Sequence, residues 1–352
     1  MRWQFVSYHA AAAEGTAAGR QLWAVGEALR ALGHDVQAWS WGPQRPATVT
    51  ADWCERRPLP DEPMWRSRAR SLVRPRAEVV RARWHPAAPD VVVADDPASW
   101  AAVAGARDCT RVSMVHFAVR LDQRALRDRA PARIQDRRAE RRAVSAADVA
   151  WALSDRVRAA VGASVVVPAT LPVPDAPLPL VDEPTVGLLA DWSWPPNLAA
   201  ADDLLRVWPT VCDRVPGARL LLAGRGSSPI GSLAGTQWLG EVPTTEDLLR
   251  ELAVFAFPCP PTSGPKLKVM DAMAHGVPVL TYPTGVEGIS GGTEGTAVVT
   301  PETLTDRLVR LLRDQQERAA VSAAGRSAIV DGHSPRVAAQ ARIRSVAAAT
   351  AR

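Results

Sequence analysis

The chain has 352 residues, of which 47% are hydrophobic and 22% are charged. This length exceeds one ordinary compact core and suits two domains, and the composition excludes an intrinsically disordered protein. No run of about 18 apolar residues occurs, so we expect no integral membrane span. The N-terminal segment lacks the apolar stretch and the cleavage site of a signal peptide, and we predict a folded protein without one.

The formal net charge is +5, and the basic residues are almost all arginines interleaved with acidic residues. Proteins that bind nucleic-acid bases set aromatic residues among basic ones, and no such motif occurs here, so we predict no nucleic-acid partner. The four cysteines show no C-x-x-C spacing, which predicts neither a disulfide framework nor a zinc site. Their use favours a cytoplasmic location. They are Cys54, Cys109, Cys212 and Cys259.

The first half of the chain alternates between apolar runs and amphipathic or charged segments. Trp3–Tyr8 predicts a strand, and Gly19–Leu32 predicts a helix. The run DVVVADDP predicts a buried parallel strand, followed by a helix with Asp96 as its N-cap and Pro97 at its first position. The runs RVSMVHF and VAWALSD predict strands on either side of a charged helix over Asp122–Val144.

A proline-rich stretch divides the chain. Residues 167–184 contain six prolines in eighteen positions, which excludes a helix or a central strand. After it, the runs TVGLLADW, ARLLLAGRG, TQWLGEV, AVFAFPC, VPVLTYP and TAVVT predict strands that alternate with helices. Strands alternating with helices indicate a parallel sheet covered on both faces, so the sequence predicts an α/β protein.

We therefore divide the chain into four parts. Residues 1–168 and 185–332 are predicted to form two Rossmann-like domains, joined by a stiff linker over 169–184. Residues 333–352 are predicted to form a helix that packs back on the first domain. Two such domains place a ligand in a cleft between them, at the carboxyl ends of the strands.

One segment, SGPKLKVMDAMAHG over residues 263–276, carries the clearest chemical signal. Of the 42 lysines and arginines in the chain, only Lys266 and Lys268 are lysines. A predicted helix begins beside them, after Gly264, and a helix N-terminus binds phosphate through its unpaired N–H groups and its dipole. A lysine adds a compact positive charge there, and the carboxylate of Asp271 suits two ribose hydroxyls. The segment predicts a site for the diphosphate and ribose of a nucleotide.

The same segment resembles the donor-binding motif of glycosyltransferase family 4, the retaining enzymes of the two-domain GT-B fold. A subgroup of that family reads G-T-R-L-K-I-L-E-A-M-A-x-G-x-P-V-V and then G-x-E-G-L. This chain reads G-P-K-L-K-V-M-D-A-M-A-H-G-V-P-V-L and then G-V-E-G-I. The resemblance also covers DWSWPPN, VPGARLLLAGRG and LGEVPTTEDLLRELAVFAFPC in the right order. It implies a GT-B fold, with acceptor binding in the first domain and nucleotide-sugar binding in the second.

The resemblance implies roles for the residues of the motif. Lys268 matches the family lysine at the pyrophosphate, where it would act in catalysis, and Lys266 stands where the subgroup often has arginine. Asp271 replaces the second glutamate of the family's E-x7-E motif, which holds the ribose. Ser263 replaces the first glutamate, which touches the donor sugar, and Gly264 opens the turn. The two replacements leave the sugar and the usual activity in question.

Three residues of the first domain also match the family. His116 resembles the histidine on the acceptor-facing side of the cleft, where it would orient the donor sugar or exchange a proton with the acceptor hydroxyl. A structural role for this histidine stays open. Gly15 and Thr16 resemble the N-terminal loop that approaches the donor phosphates, although an ordinary loop also accounts for them.

Three further residues of the second domain are predicted to contact the donor. Glu287 and Gly288 lie in a Gly-rich loop that the resemblance places near the donor sugar. Arg225 follows a strand in the sequence AGRG and is interpreted as a contact for a phosphate or the base. The arginine and lysine that the family usually carries in the first loop of this domain are absent, so Lys266 and Lys268 would neutralise more of the diphosphate.

The resemblance implies a metal-independent hexosyltransferase that uses no cofactor. It would move a sugar from a nucleotide-diphosphate sugar to a small-molecule acceptor with retention, and we favour natural-product (antibiotic) biosynthesis as its setting. No pair of carboxylates at glycosidase spacing is evident, and this class does not need one. Two alternatives stay open, namely a different reaction on the same fold (nucleotide-sugar epimerisation or cyclitol coupling) and a non-catalytic partner protein. A dinucleotide-dependent dehydrogenase is not expected, because no G-x-G-x-x-G follows the first strand.

Overall fold

The computed structural model describes the chain except for residues 14–15, 43–48, 58–87, 123–129, 230, 232 and 352, and the side chains of 130–135. The described residues fall into two compact units. Residues 1–172 and 335–351 form unit 1, and residues 173–334 form unit 2. Within the described part of the chain, the backbone passes from one unit to the other after Pro172 and again after Ser334.

Unit 1 is built on a parallel sheet whose spatial order is β3-β2-β1-β4-β5-β6-β7. This is the usual Rossmann order with one more strand at the edge. Its strands are β1 (Arg2–Ser7), β2 (Asp35–Ser40), β3 (Cys54–Arg56), β4 (Val91–Ala94), β5 (Thr110–Val115), β6 (Val149–Ala152) and β7 (Val165–Val166). Its helices before the crossing are α1 (Ala17–Ala31), α2 (Trp100–Val103, after a 3-10 turn over Pro97–Ser99), α3 (Ala130–Ala146) and α4 (Asp155–Val161).

Unit 2 repeats the same design, with the strand order β10-β9-β8-β11-β12-β13. Its strands are β8 (Thr185–Asp191), β9 (Arg219–Arg225), β10 (Thr236–Gly240), β11 (Val254–Phe257), β12 (Val279–Thr281) and β13 (Ala297–Val298). Its helices are α5 (Pro195–Arg214), α6 (Thr245–Leu249), α7 (Leu267–Ala274), α8 (Leu304–Arg313) and α9 (Gln315–His333). In both units, the order of the strands reverses between the first and the fourth strand, and ligands of open α/β sheets bind at that switch point.

The local sequence accounts for these elements. The central strands β4 (VVVA), β6 (VAWA) and β11 (VFAF) are buried along their whole length, as strands covered on both faces must be. Polar caps begin the helices next to them. Asp96 and Ser154 accept hydrogen bonds from the backbone N–H groups three residues later, those of Ser99 and Val157. The predicted cap at Asp96, with Pro97 following it, is therefore confirmed.

The last helix, α10 (Pro335–Thr350), belongs to unit 1 and packs against α1. Its Ser345 hydroxyl accepts a hydrogen bond from Trp151 Nε1 at 2.8 Å. Its Arg342 is 1% exposed, lies over the ring of Trp151 at 5.5 Å, and donates to the carbonyl of Pro168 at 3.1 Å. This helix therefore fixes the segment through which the chain leaves unit 1.

The proline-rich stretch is bound along its length, whereas the sequence predicts only a stiff spacer. The change of unit after Pro172 lies inside the predicted linker of 169–184. Beyond it, Arg326 donates to the carbonyls of Pro174 and Asp175 at 2.7 and 3.1 Å. Arg318 donates to the carbonyl of Val181 at 3.3 Å. Both arginines lie on α9, so the second part of the stretch is a fixed edge of unit 2.

We predict a large loss of stability on substituting Gly224 with alanine. Gly224 lies on β9 with φ at +124°, and a Cβ there would lie 1.9 Å from the carbonyl oxygen of Ala190 on β8. We expect Gly224→Ala to lower the free energy of unfolding by about 3 kcal/mol, through crowding and backbone strain together.

Gly217 provides the control, because its φ is +80° and nothing lies within 4 Å of an added Cβ. Gly217→Ala should cost only about 1–2 kcal/mol for the left-handed backbone. Urea unfolding of the two variants measures the difference, and equal losses would contradict the close approach of β8 and β9.

Candidate active site

The switch point of unit 2 gathers side chains from four elements. Asp191 ends β8, Phe257 ends β11, and Asn197 lies in the first turn of α5. The ammonium of Lys268, on the first turn of α7, donates to Asn197 Oδ1 at 2.7 Å. It also lies 4.4 Å from the centre of the Phe257 ring, within the range of a cation–π contact. The lysine singled out by the sequence is thus held at the position where this fold binds ligands.

The environment of Lys268 lowers the pKa of its ammonium group. Burial lowers the pKa of its ammonium from 10.5 to about 8, against smaller raising effects from Cys259 and Asp191. Asn197 is oriented by a second bond, in which its Nδ2 donates to the carbonyl of Asp191 at 2.7 Å. That bond turns Oδ1 toward the lysine. An incoming anion at this point would gain more from the charge than it would in open water.

The turn before α7 is closed by a glutamate from another loop. Gly264 has φ at +77°, a conformation that favours glycine, and its N–H donates to Glu287 Oε1 at 3.0 Å. Lys266 is the N-cap residue of α7, and its ammonium donates to the carbonyl of Gly264. Ser263, just before this turn, is 7% exposed. Gly288 follows Glu287 with φ at +72°. The structure therefore brings five of the predicted donor residues into one cluster.

Asp271 and Arg225 have partners of their own. Asp271 is 3% exposed, and its Oδ1 lies 3.5 Å from Nδ1 of His275, one turn further along the chain. Arg225 forms an ion pair with Asp191 across the ends of β9 and β8. Burial raises the pKa of Asp191, but hydrogen bonds from Ser193 and Arg225 outweigh it and leave the pKa lowered. The charge of Arg225 is therefore partly balanced, whereas that of Lys268 faces a neutral amide.

His116 lies at the corresponding edge of unit 1, directly after β5. Its Nε2 donates to the carbonyl of Asp95, which follows β4, and lies 3.7 Å from the Asp95 carboxylate. Its Nδ1 lies 3.3 Å from Nε2 of Gln21, whose Oε1 accepts from the N–H of Thr170 at 3.3 Å. The bond to Thr170 turns the NH₂ group of Gln21 toward the ring, so His116 carries its proton on Nε2.

Two opposing effects act on the protonation of His116. Burial lowers the pKa of its imidazole, but the hydrogen bond and charge of Asp95 raise it more, and the net pKa is raised. A second proton would have to enter on Nδ1, where the Gln21 amide donates. Charging the ring therefore requires that amide to rotate and to release Thr170. The same network fixes the orientation of the ring, which a role toward a substrate would need.

Of the two residues predicted in the N-terminal loop, the structure describes only Thr16. Thr16 is the N-cap of α1, and its hydroxyl accepts from the N–H of Gly19 at 3.1 Å and lies 3.3 Å from His9 Nδ1. Its hydroxyl is thus used in starting the helix. Gly15 lies outside the described residues. His116 and Thr16 belong to unit 1, and the other described candidates belong to unit 2.

Three residues of these networks escaped the sequence-based selection. Asn197 is 6% exposed, Gln21 is 2% exposed and Asp95 is 6% exposed. Each is a polar residue in an otherwise apolar or amphipathic stretch, and buried polar groups need partners. A search for polar positions on the buried faces of α1 and α5 would have found Gln21 and Asn197. Asp95 and Asp96 form a pair at the end of β4, and only the structure separates the helix cap from the partner of His116.

Two further properties follow from the described residues. Among them, no group of three or more histidine, cysteine, aspartate or glutamate side chains is placed to hold a metal ion. No helix in the described part of the chain is long and apolar enough to cross a membrane.

Family models match the chain in two parts. The model described as Glycosyltransferase Family 4 matches residues 18–171, and the model described as Glycosyl transferases group 1 matches residues 183–314. No curated protein matches the chain by sequence.

Solved structures match the chain by fold. Sucrose-phosphate synthase from Thermosynechococcus elongatus matches with a TM-score of 0.74 and 15% identity, over 100% of both chains. HepE from Anabaena, in complex with UDP and glucose, matches with a TM-score of 0.69 and 14% identity, over 99% of both chains. TarM matches with a TM-score of 0.61 and 13% identity, over 73% of this chain and 54% of its own, so the chain spans about half of TarM. Together with the family models, these matches confirm the GT-B fold and show that the chain is a glycosyltransferase.

We predict that the Lys268 side chain titrates near pH 8, because its burial disfavours the charged form. The measurement is direct, since selective lysine labelling for NMR gives signals from only two residues, Lys266 and Lys268. Lys268→Arg assigns the signals by removing one of them. Asn197→Asp should raise the pKa of Lys268 by at least one unit, because a carboxylate would replace the amide oxygen at 2.7 Å. A Lys268 signal that titrates above pH 10 in the unsubstituted protein would contradict this environment.

Proposed function

We propose that this glycosyltransferase moves a sugar from a nucleoside-diphosphate sugar to a small-molecule acceptor, with retention of configuration. The observation that carries the proposal is Lys268, a desolvated cation held by Asn197 at the switch point of unit 2. A diphosphate develops negative charge as it leaves the sugar, and a fixed cation in a partly buried site stabilises that charge. We infer that Lys268 contacts the diphosphate.

The neighbours of Lys268 support the same ligand. Lys266 and the N-terminus of α7 lie beside it, and both favour an anion. Arg225 is engaged with Asp191, so the two lysines supply most of the positive charge at this edge of unit 2. Asp271, on α7 itself, is proposed as the ribose-binding carboxylate. Ser263 replaces the glutamate that usually touches the donor sugar in the family. This replacement favours a role in a specialised pathway, such as antibiotic glycosylation, over polymer synthesis.

The proposed transfer needs no reactant other than the nucleotide sugar and the acceptor. The bond between the anomeric carbon and the diphosphate oxygen breaks, and its electron pair passes to the diphosphate. The acceptor oxygen forms the new bond from the same face, and its proton goes to the departing phosphate oxygen. Lys268 stabilises the charge that appears on the diphosphate, and we propose that the step needs no metal ion or cofactor.

His116 is proposed to orient the donor sugar. Both of its ring nitrogens are hydrogen-bonded within unit 1, to Gln21 and Asp95. Carrying a proton to or from the acceptor would require one of these bonds to break, whereas a packing contact from the face or edge of the fixed ring would not. The departing phosphate is therefore the better proton acceptor.

A panel of nucleotides and nucleotide sugars tests the proposal, and UDP and UDP-glucose head it because the HepE structure holds UDP and glucose. We expect at least one nucleoside diphosphate to bind, and the matching nucleotide sugar to be consumed only when an acceptor pool is present. Mass spectrometry of the acceptor pool should show the added sugar, and NMR of the product should show the retained configuration. Consumption without an acceptor product would favour epimerisation, and binding without consumption would favour a non-catalytic partner.

The pH dependence of nucleotide binding tests the role of Lys268 separately. The free protein loses the Lys268 proton as the pH rises through about 8, and the neutral amine attracts an anion less. Affinity for the nucleoside diphosphate should therefore fall as the pH rises from 7 to 9. Lys268→Arg should weaken this dependence, because arginine stays charged over that range. Lys268→Ala should lower the affinity at pH 7 more than tenfold by calorimetry, and an unchanged affinity would reject the assignment.

A further inference from the structure

The loop that follows Glu287 lies against one face of α9. Gly325, Ala328 and Gly332 are spaced so that they share a face of this helix. A Cβ added to Gly295 would lie 2.8 Å from Cα of Gly325, and one added to Gly291 would lie 3.1 Å from Cβ of Ala328. The loop backbone therefore runs along the helix at close range, with no room for larger side chains between them.

The end of α9 holds this loop by a hydrogen bond as well. His333, the last residue of the helix, is 1% exposed, and its Nε2 accepts from the N–H of Ser290 at 2.8 Å. An imidazole nitrogen that accepts carries no proton, so the ring is neutral and protonated on Nδ1. A Cβ on Gly332 would lie 3.2 Å from Cβ of Ser290, which shows how closely the two segments approach. His333 thus fixes the loop at Ser290.

The same loop also contacts the turn over residues 263–266, which precedes α7 and is called the donor turn below. It does so at Glu287, three residues before Ser290. Glu287 Oε1 accepts from the N–H of Gly264 at 3.0 Å. Helix α9 also holds the far end of α7, since Arg326 donates to the carbonyl of Ala274 and Ser322 donates to that of Gly276 at 2.6 Å. One helix therefore fixes both the helix that begins at the donor turn and the loop that closes this turn.

We propose that His333 is a positioning residue for donor binding. It holds Ser290, and through the short segment back to Glu287 it keeps the Glu287 carboxylate on the N–H of Gly264. The donor turn then keeps the conformation in which Lys266 and Lys268 stand beside one another at the start of α7. This inference rests on the proposed function, in which that turn binds the diphosphate sugar.

Two substitutions of His333 separate positioning from simple packing. His333→Gln keeps a neutral acceptor close to the position of Nε2, whereas His333→Leu fills the space without an acceptor. Val330→Ala is the control, because Val330 lies on the same helix and is 40% exposed. We expect His333→Leu to raise the KM for the donor at least fivefold, with kcat and the KM for the acceptor changed less than twofold. His333→Gln and Val330→Ala should remain within twofold of the unsubstituted enzyme.

Hydrogen exchange measured by mass spectrometry provides a readout that does not depend on activity. In His333→Leu, exchange should accelerate at least tenfold in peptides covering 287–295 and 262–266, and it should stay unchanged in His333→Gln. Unchanged exchange over 262–266 in His333→Leu would overturn the inference, as would accelerated exchange with an unchanged donor KM. If no nucleotide sugar binds the unsubstituted protein, the proposed function fails, while the exchange data still decide whether His333 controls the turn.

Discussion

The candidate site of unit 2 is built around one desolvated cation, the ammonium of Lys268. Removing a charge from water is costly, and burial accordingly lowers the pKa of this ammonium to about 8. The protein offers it a neutral amide and an aromatic face, Asn197 and Phe257, in place of a carboxylate. A carboxylate would have satisfied the lysine within the protein. The chosen partners hold its position and leave its charge available, which is what an anion-binding site requires.

The two units carry polar groups of opposite charge at the same position, the switch point of the sheet. In each sheet, the first and the fourth strand are neighbours from which the strand order runs in opposite directions, and polar residues lie at their carboxyl ends. In unit 1 the buried carboxylate of Asp95 accepts from Ser7 and its backbone carbonyl accepts from His116. In unit 2 the corresponding position holds Lys268 and Asn197. The repeated Rossmann order therefore provides two comparable positions, and the sequence of each unit decides whether that position holds a cation or orients an imidazole ring.

Much of this architecture is readable from the sequence because it depends on local patterns. Apolar runs of four to seven residues mark the parallel strands, and capping residues such as Asp96 mark the helix starts. The cluster at the start of α7 could be selected from the sequence because most of its residues are contiguous, from Ser263 to Lys268, and include both lysines of the chain. The parts that were missed depend on residues distant in sequence. Asn197 lies 71 positions from Lys268, and Gln21 lies 95 positions from His116. The periodicity of a single helix or strand does not predict such pairs. A polar residue on a buried helix face does indicate that a partner exists elsewhere in the chain.

The proline-rich stretch has a consequence for how this chain tolerates change. Three arginines hold it mainly through main-chain carbonyls: Arg342 through that of Pro168, Arg326 through those of Pro174 and Asp175, and Arg318 through that of Val181. Arg318 also lies 3.6 Å from the carboxylate of Asp182. Every residue type has a carbonyl, and proline has no N–H that would need a partner of its own. A guanidinium has only donors, so it suits such a strip of acceptors. Beyond Leu171, these contacts depend on the path of the backbone more than on the side chains of the stretch. The residues before that point are held by their own side chains as well, since four of them are buried, namely Val167, Ala169, Thr170 and Leu171. Substitutions should therefore be tolerated best in the part of the segment that α9 holds by its backbone, and least at the buried residues before it.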